Sequence, residues 1–309
     1  MTAVDLTAIL KKADDHVRTE FGSTPEVIDV GHDLVIEDLA VKARRWARVK
    51  EIVAVVADLK NSTRLGTGRQ RASSTASIYE AAVHPLVDIL TKFDADDIAI
   101  QGDGAVGLFW GERRLERAMC AGITIKTFSE KHLEARLEKK WDDLPPTGFK
   151  VGVAASQVLV KRIGKARTRH QEEVWAGKAV NYAAKAAQEA DRRQLVVTGS
   201  VWDRVEQNDY LAISCGCSSE APSDAIWADV EISRLPEDDE DRYGRVLNAN
   251  WCDNCGPHFC EAVLAGKKDR GVEAARQLME QKMRQNSLAW KAREDRKRRR
   301  GLNHLRKAG

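Results

Sequence analysis

Two aspartates stand where a carboxylate can do chemistry. Asp58 closes the apolar, β-branched run Ile52–Ala57, and Asp103 lies in the Gly102-Asp103-Gly104 turn between the apolar runs Ile98–Gln101 and Ala105–Trp110. Sequential strands tend to be neighbours, which would bring both carboxylates to one edge of a sheet. Two such groups a few ångströms apart repel one another unless a cation lies between them. Hard oxygen ligands suit Mg²⁺ or Mn²⁺, ions that commonly act on phosphates. The same spacing also fits a turn aspartate and a capping aspartate that hold nothing.

A second set is polar. Val180-Asn181 opens a helical pattern and Lys185 follows one turn later, so Asn181 and Lys185 share a face. That face is turned roughly 100–140° from the small-residue stripe Val180, Ala183, Ala184 and Ala187. Such a helix can pack through its alanines and present an amide and a cation to a cleft; a plain surface helix has the same pattern. A third set is sulfur-rich: Cys252, Cys255, His258 and Cys260 give C-x₂-C-x₂-H-x-C, with Cys215 and Cys217 upstream. These are zinc-ligand types. Four bonds closed within one short segment would be cramped, so Cys215 and Cys217 could supply half of a structural site; a reduced, packed cysteine cluster is the alternative. Cys120 sits alone in an apolar helical pattern.

The elements that must position these groups follow from periodicity. Ile52–Asp58, Ile98–Gln101, Ala105–Trp110, Phe149–Ala155, Glu172–Trp175 and Leu195–Thr198 read as strands. Ala72–Lys92, with Ile78, Ala82 and Leu86 on one stripe, Glu112–Trp141 and Gly177–Ala190 read as helices, and another starts near Ser200. Polar Lys60–Arg71 reads as a loop or the start of a helix. The β-α-β-β-α-β order predicts an α+β fold with a ferredoxin-like core, its sheet covered by helices on one face. Residues 1–45 read as a helical N-terminal extension, 46–235 as the α+β domain, and 236–309 as an acidic linker (Glu237–Asp241), the Cys/His segment and a basic helical tail.

Composition narrows the classes. The 309 residues are 43 % hydrophobic and 31 % charged, which excludes a disordered or fibrous chain. Fifty basic residues against forty-seven acidic ones give +3, too even to argue for nucleic acid on charge. Ile52–Ala57 is far short of the ~20 apolar residues of a membrane helix, and Met1–Glu20 does not read as a secretory signal. A reducing cytoplasm is therefore expected, with no stable nucleic-acid or membrane partner. The run Arg296-Lys297-Arg298-Arg299-Arg300 reads most plainly as a solvated helix end.

Between residues 46 and 235 the chain resembles the class III nucleotidyl cyclases. That family carries an aspartate after the first strand followed by a small polar loop, a Gly-Asp hairpin, and a G-x-x-V-N-x-A-x-[RK] helix. Here these read Ala57-Asp58-Leu59-Lys60-Asn61-Ser62-Thr63, then Gln101-Gly102-Asp103, then Gly177-Lys178-Ala179-Val180-Asn181-Tyr182-Ala183-Ala184-Lys185. The resemblance implies that Asp58 and Asp103, with the backbone carbonyl of Leu59, hold two divalent ions, Mn²⁺ or Mg²⁺, that activate the ribose 3′-hydroxyl against the α-phosphate and help diphosphate leave. It implies that Asn181 positions the ribose and Lys185 meets charge on the α-phosphate. In the family these two come from the partner subunit, so a head-to-tail homodimer is implied.

The departures carry information. Lys185 stands where purine cyclases mostly have Arg. Ala99 and Val174 occupy positions that in purine cyclases read the base with polar side chains, and apolar residues cannot satisfy a purine edge. This combination resembles the pyrimidine cyclases of bacterial Pycsar anti-phage systems. That implies a uridylate cyclase, converting UTP to cyclic UMP for a separate cyclic-nucleotide-responsive effector. The alternatives are a cytidylate cyclase, an adenylate or guanylate cyclase with an atypical base pocket, a degenerate nucleotide-binding domain, and a zinc-containing nucleic-acid binder.

Overall fold

The computed structural model describes residues 4–39, 41, 43–67, 72–141, 144–165, 168–217, 226–285 and 287–305. In chain order the elements are α1 (Leu6–Phe21), β1 (Glu26–Gly31), β2 (Arg45–Leu59), α2 (Ser62–Thr67), α3 (Ala72–Lys92), β3 (Asp97–Gln101), β4 (Gly104–Phe109), α4 (Arg114–Phe128), a π-helical segment (Ser129–Glu134), α5 (Ala135–Lys140), β5 (Phe149–Gly164), β6 (Gln171–Gly177), α6 (Lys178–Glu189), β7 (Gln194–Val197), α7 (Gly199–Val205), α8 (Asp209–Ala212), β8 (Trp227–Glu231), β9 (Tyr243–Leu247), α9 (Gly256–Leu264), α10 (Glu273–Gln285) and α11 (Ser287–Leu305). The polar stretch Lys60–Arg71 holds α2, and its residues 68–71 lie outside the described residues.

The chain forms two compact units, one of residues 1–50 and 158–176, the other of 51–157 and 177–309. In the first, the Asp5 carboxylate caps α1 by accepting from the Ala8 amide at 3.0 Å, and the helix buries none of its side chains. The helical reading of residues 1–45 holds only to Phe21. Pro25 cannot continue a helix, and β1 instead pairs in parallel with the first residues of β2, Glu26 opposite Arg45.

The second unit carries most of the sheet, whose strand order is β3-β4-β2-β5-β7-β9-β8. Every residue of the run Ile52–Ala57 is buried, as expected of a strand covered on both faces. Val53, Val55 and Ala57 pack in one cluster with Ile78, Ala82, Leu86 and Leu90 of α3 and with Leu115, Met119 and Ile123 of α4. Val151 and Val153 of β5 join that cluster. Strand side chains alternate, so Gly152 between them faces the other way, against α6. A Cβ on Gly152 would overlap the Ala183 carbonyl oxygen and the Ala187 amide. Helices therefore cover both faces of the sheet, where one was expected. The buried face of α6 is Ala179, Tyr182, Ala183, Ala186 and Ala187, turned from the expected stripe so that Val180 and Ala184 are only half-buried.

Other expectations shift for local reasons. The helix read over Glu112–Trp141 runs from Arg114 to Lys140 with a π-helical segment in its middle. There buried Ser129 accepts from the Phe149 amide at 2.8 Å and donates to Glu134 at 3.0 Å. The acidic run Glu237–Asp241 is solvated at Glu237 and Asp238 but not beyond them. Asp239 accepts from Lys178 at 2.7 Å and Tyr182 at 2.5 Å, and Asp241 accepts from the Ser200 amide at the start of α7 at 2.7 Å. Nor is Arg296 solvated: it is buried, and its guanidinium grips Asp203 through contacts of 2.8 and 2.9 Å, while neighbouring Arg293 pairs with buried Glu206. Burial without a partner would cost each of these charges several kcal/mol, and the paired geometry is what permits it.

Because α6 lies directly on Gly152, Gly152→Ala should lower unfolding free energy by about 1–3 kcal/mol through overpacking. A urea titration reads this as a fall in midpoint at unchanged slope; an unmoved midpoint would mean that α6 does not rest there.

Candidate active site

Backbone register sets Asp58 beside the turn that carries Asp103. β2 and β4 are antiparallel with Ala57 opposite Ala105, which sets Asp58 beside the β3–β4 turn. Gln101 pairs with Gly104, leaving Gly102-Asp103 as a two-residue turn. Gly102 has φ +65°, the left-handed conformation that the first position of a type II′ hairpin turn requires. Gly104 is needed for approach: a Cβ there would overlap the Ala57 carbonyl oxygen and lie 3.3 Å from the Asp58 Cα. β2 is flanked by β4 and β5, so Asp58 stands at the end of a central strand, while Asp103 lies on the turn that joins β4 to the edge strand β3.

Electrostatics at this place favour a cation. Asp103 Oδ2 is buried and has no hydrogen-bond partner among the described residues. The half-exposed Asp58 carboxylate accepts from Lys150 Nζ of β5 at 2.6 Å, so the site already draws in a positive charge. An orphaned carboxylate oxygen beside a second carboxylate is a donor set that fits a hard divalent ion. The Leu59 side chain is buried in the core, which leaves its backbone as the part that could serve a ligand. The loop after β2 is held: the Lys60 amide donates to the Gly148 carbonyl at 3.0 Å, the Lys60 ammonium pairs with Asp191, and Asn61, at φ +65°, donates to the Pro146 carbonyl at 2.8 Å.

Asn181 and Lys185 both lie on α6, and neither makes a hydrogen bond or ion pair with Asp58 or Asp103 among the described residues. The Asn181 amide donates to the Gly177 carbonyl at 3.3 Å, and the Lys185 ammonium lies 5.6 Å from the centre of the Tyr182 ring. The start of α6 is anchored by Asp239, which binds both Lys178 and Tyr182. Burial and the Asp239 hydrogen bond hold the Tyr182 phenol above its ordinary pKa, and the same carboxylate raises that of Lys178. Sequence reasoning missed Lys150 and Asp239. Lys150 is the second residue of an apolar strand with nothing to mark its partner, and Asp239 is one acid among several in a charge run. Ala99 is exposed on β3, and Val174 is 41 % exposed on β6 with Glu173 beside it bound to Arg162 at 2.7 Å.

The cysteines sort into two places. The thiols of Cys215, Cys217, Cys252 and Cys255 all lie within 4.8 Å of one another. Cys255 is the N-cap of α9, and past it the helix turns about 100° per residue. His258 is consequently exposed, and Cys260 lies against α4, where buried Cys120 donates to its carbonyl at 3.9 Å. Backbone amides of Cys255 and Asn254 turned onto the Cys252 sulfur lower its pKa to about 7.

The fold is that of the class III nucleotidyl cyclases. A class III adenylyl cyclase-like ATP-binding protein from Pseudomonas aeruginosa superposes with a TM-score of 0.51 over 89 % of this chain and 52 % of its own, at 16 % identity. The chain belongs to the uridylate cyclase family: it is 58 % identical over 270 residues to a uridylate cyclase of Micromonospora echinofusca, spanning 87 % of this chain and 88 % of that one. A uridylate cyclase of Propioniciclava tarda is 50 % identical over 274 residues, 87 % of each chain. No protein-family model matches. Among the described residues no helix is long and apolar enough to cross a membrane.

The two carboxylates should differ in their effect on the metal-free protein. Asp103→Asn removes the negative charge of a half-buried turn carboxylate whose Oδ2 has no partner among the described residues, and should raise stability by up to about 1 kcal/mol. Asp58→Asn leaves Lys150 without its partner and should lower it by up to about 1 kcal/mol. Urea unfolding in chelator checks the opposite signs.

Proposed function

We propose that this protein is a uridylate cyclase that converts UTP to 3′,5′-cyclic UMP and diphosphate. The observation that supports it most is the 58 % identity to a uridylate cyclase across nearly the whole of both chains, joined to the register that sets Asp58 beside the turn that carries Asp103. The O3′–Pα bond forms, the bond from Pα to the bridging oxygen of diphosphate breaks, and the proton of the 3′-hydroxyl passes to solvent water. Asp58 and Asp103, with the Leu59 carbonyl, would hold two Mg²⁺ or Mn²⁺ ions, which when bound acidify the 3′-hydroxyl and neutralise triphosphate charge. Lys150 keeps the Asp58 carboxylate paired until substrate and ions arrive. Asn181 orients the ribose, and Lys185 meets the charge that grows on the α-phosphate oxygens.

In this reading α6 of one protomer completes the site of its partner in a head-to-tail homodimer, with Asn181 and Lys185 held within α6 by the Gly177 carbonyl and the Tyr182 ring. Catalysis belongs to residues 46–235, with 1–45 and 236–309 flanking it. The apolar Ala99 and exposed Val174 suit a pyrimidine better than a purine. The enzyme acts in the cytoplasm during anti-phage defence, and a separate effector reads the cyclic nucleotide.

Incubation with ATP, GTP, CTP and UTP in turn, with Mn²⁺ and product identification by mass, should yield cyclic UMP. Cyclic CMP as the main product would move the base assignment, and no product from any nucleotide would favour a binding domain. Asp58→Asn and Asp103→Asn should each cut the rate by at least about 10²-fold. Mixing inactive Asp58→Asn with inactive Asn181→Ala should restore about a quarter of wild-type activity, since half of the dimers would be mixed and each would hold one intact composite site. No recovery in a proven mixed dimer would place the whole site within one chain.

A further inference from the structure

We infer that Cys215, Cys217, Cys252 and Cys255 bind one zinc ion as a tetrathiolate that clasps the segment after α8 to the start of α9. Geometry comes first. Zn–S bonds of ~2.3 Å in a tetrahedron put sulfurs about 3.8 Å apart. The Cys217 and Cys255 sulfurs are 3.7 Å apart, and all four lie within 4.8 Å of one another. A disulfide needs ~2.05 Å, and all four cysteines are free.

The backbone is arranged for thiolates. The Cys217 amide points at the Cys215 sulfur at 3.4 Å, and Gly216, at φ +77° with open space around it, lets the chain double back between them. The amides of Cys255 and Asn254 point at the Cys252 sulfur. Amides turned onto sulfur compensate the negative charge that four thiolates would bring to one metal ion. Burial does not explain the cluster. Cys217 is exposed and the other three are half-buried, whereas cysteines kept for packing are among the most buried residues.

The clasp has mechanical sense. The pair Cys215 and Cys217 follows α8, while Cys252 and Cys255 precede α9, 38 residues separating Cys217 from Cys255. The Tyr210 and Phe259 rings of those helices meet edge to face at 5.2 Å, and Trp251 is fixed to α4 by bonds to Thr127 and Thr124 of 3.1 and 3.0 Å. Zinc bonds would lock that corner to the α4 side of the core, where a surface thiol cluster alone adds little.

The test is metal content, measured on the full chain purified without chelator and independent of cyclase activity. About one zinc per chain is expected, lost in Cys217→Ser and Cys255→Ser and kept in His258→Ala and Cys260→Ser. Cobalt(II) in its place should give the thiolate charge-transfer and tetrahedral absorption of an S₄ site. Stripping the metal with an organomercurial and thiol should lower the unfolding midpoint by at least about 5 °C, reversed by zinc. Should the serine variants fail to fold, the wild-type zinc content and the cobalt spectrum decide. Zinc below about a tenth of an ion per chain, iron in its place, or loss of zinc in His258→Ala or Cys260→Ser to the same extent as in Cys255→Ser would overturn the assignment.

Discussion

The close approach of two backbones at Gly104 is the constraint on which the carboxylate site depends. The register of β4 on β2 brings the hairpin turn against Asp58, and only a residue without a side chain allows it. The result is an electrostatic conflict: one aspartate oxygen buried without a partner, the other carboxylate drawn to Lys150. A fold that keeps such a conflict is poised for positive charge, and the fully buried β4 holds the base of the turn in place.

The same logic governs α6, which carries the Asn181 and Lys185 proposed for the other half of the site. α6 is pressed onto the sheet through Gly152 and its own alanines, so the helix has little freedom to roll. Its start is pinned by one carboxylate, Asp239, gripping Lys178 and Tyr182. With one face fixed by packing and one end fixed by charge, the direction of Asn181 and Lys185 follows from rigid parts instead of from their own contacts. That is the kind of support a reacting group needs if its position is to hold within a fraction of an ångström.

Much of this was legible in the residues. The β-branched run ending in Asp58, the Gly102-Asp103 turn and the stripe of α3 have periodicities that admit few other readings, and the structure follows them. The small-residue face of α6 was read one position off, because the contact that sets its rotation is with Gly152, a residue distant in sequence. Residues 26–31 were read as part of a helical extension because a strand that pairs with a distant segment leaves little local signal. Arg296 and Asp239 look like members of solvated charge runs. Which members of a run become buried depends on the carboxylates and cations that tertiary structure brings to them, and composition does not record that. Among the cysteines, spacing alone put His258 and Cys260 with the rest; only the rotation of α9 separates them.

The pairing of α11 with α7 has a temporal side. Asp203 and Glu206 are synthesised 93 and 87 residues ahead of Arg296 and Arg293, the cations that neutralise them. A nascent chain that has finished the sheet still carries two acids that cannot be desolvated, so α7 cannot settle until α11 has left the ribosome. Burial of α7 thereby waits on a helix made much later in the chain, and a polypeptide cut short before α11 would present an unsealed surface to the proteases and chaperones that police unfinished proteins.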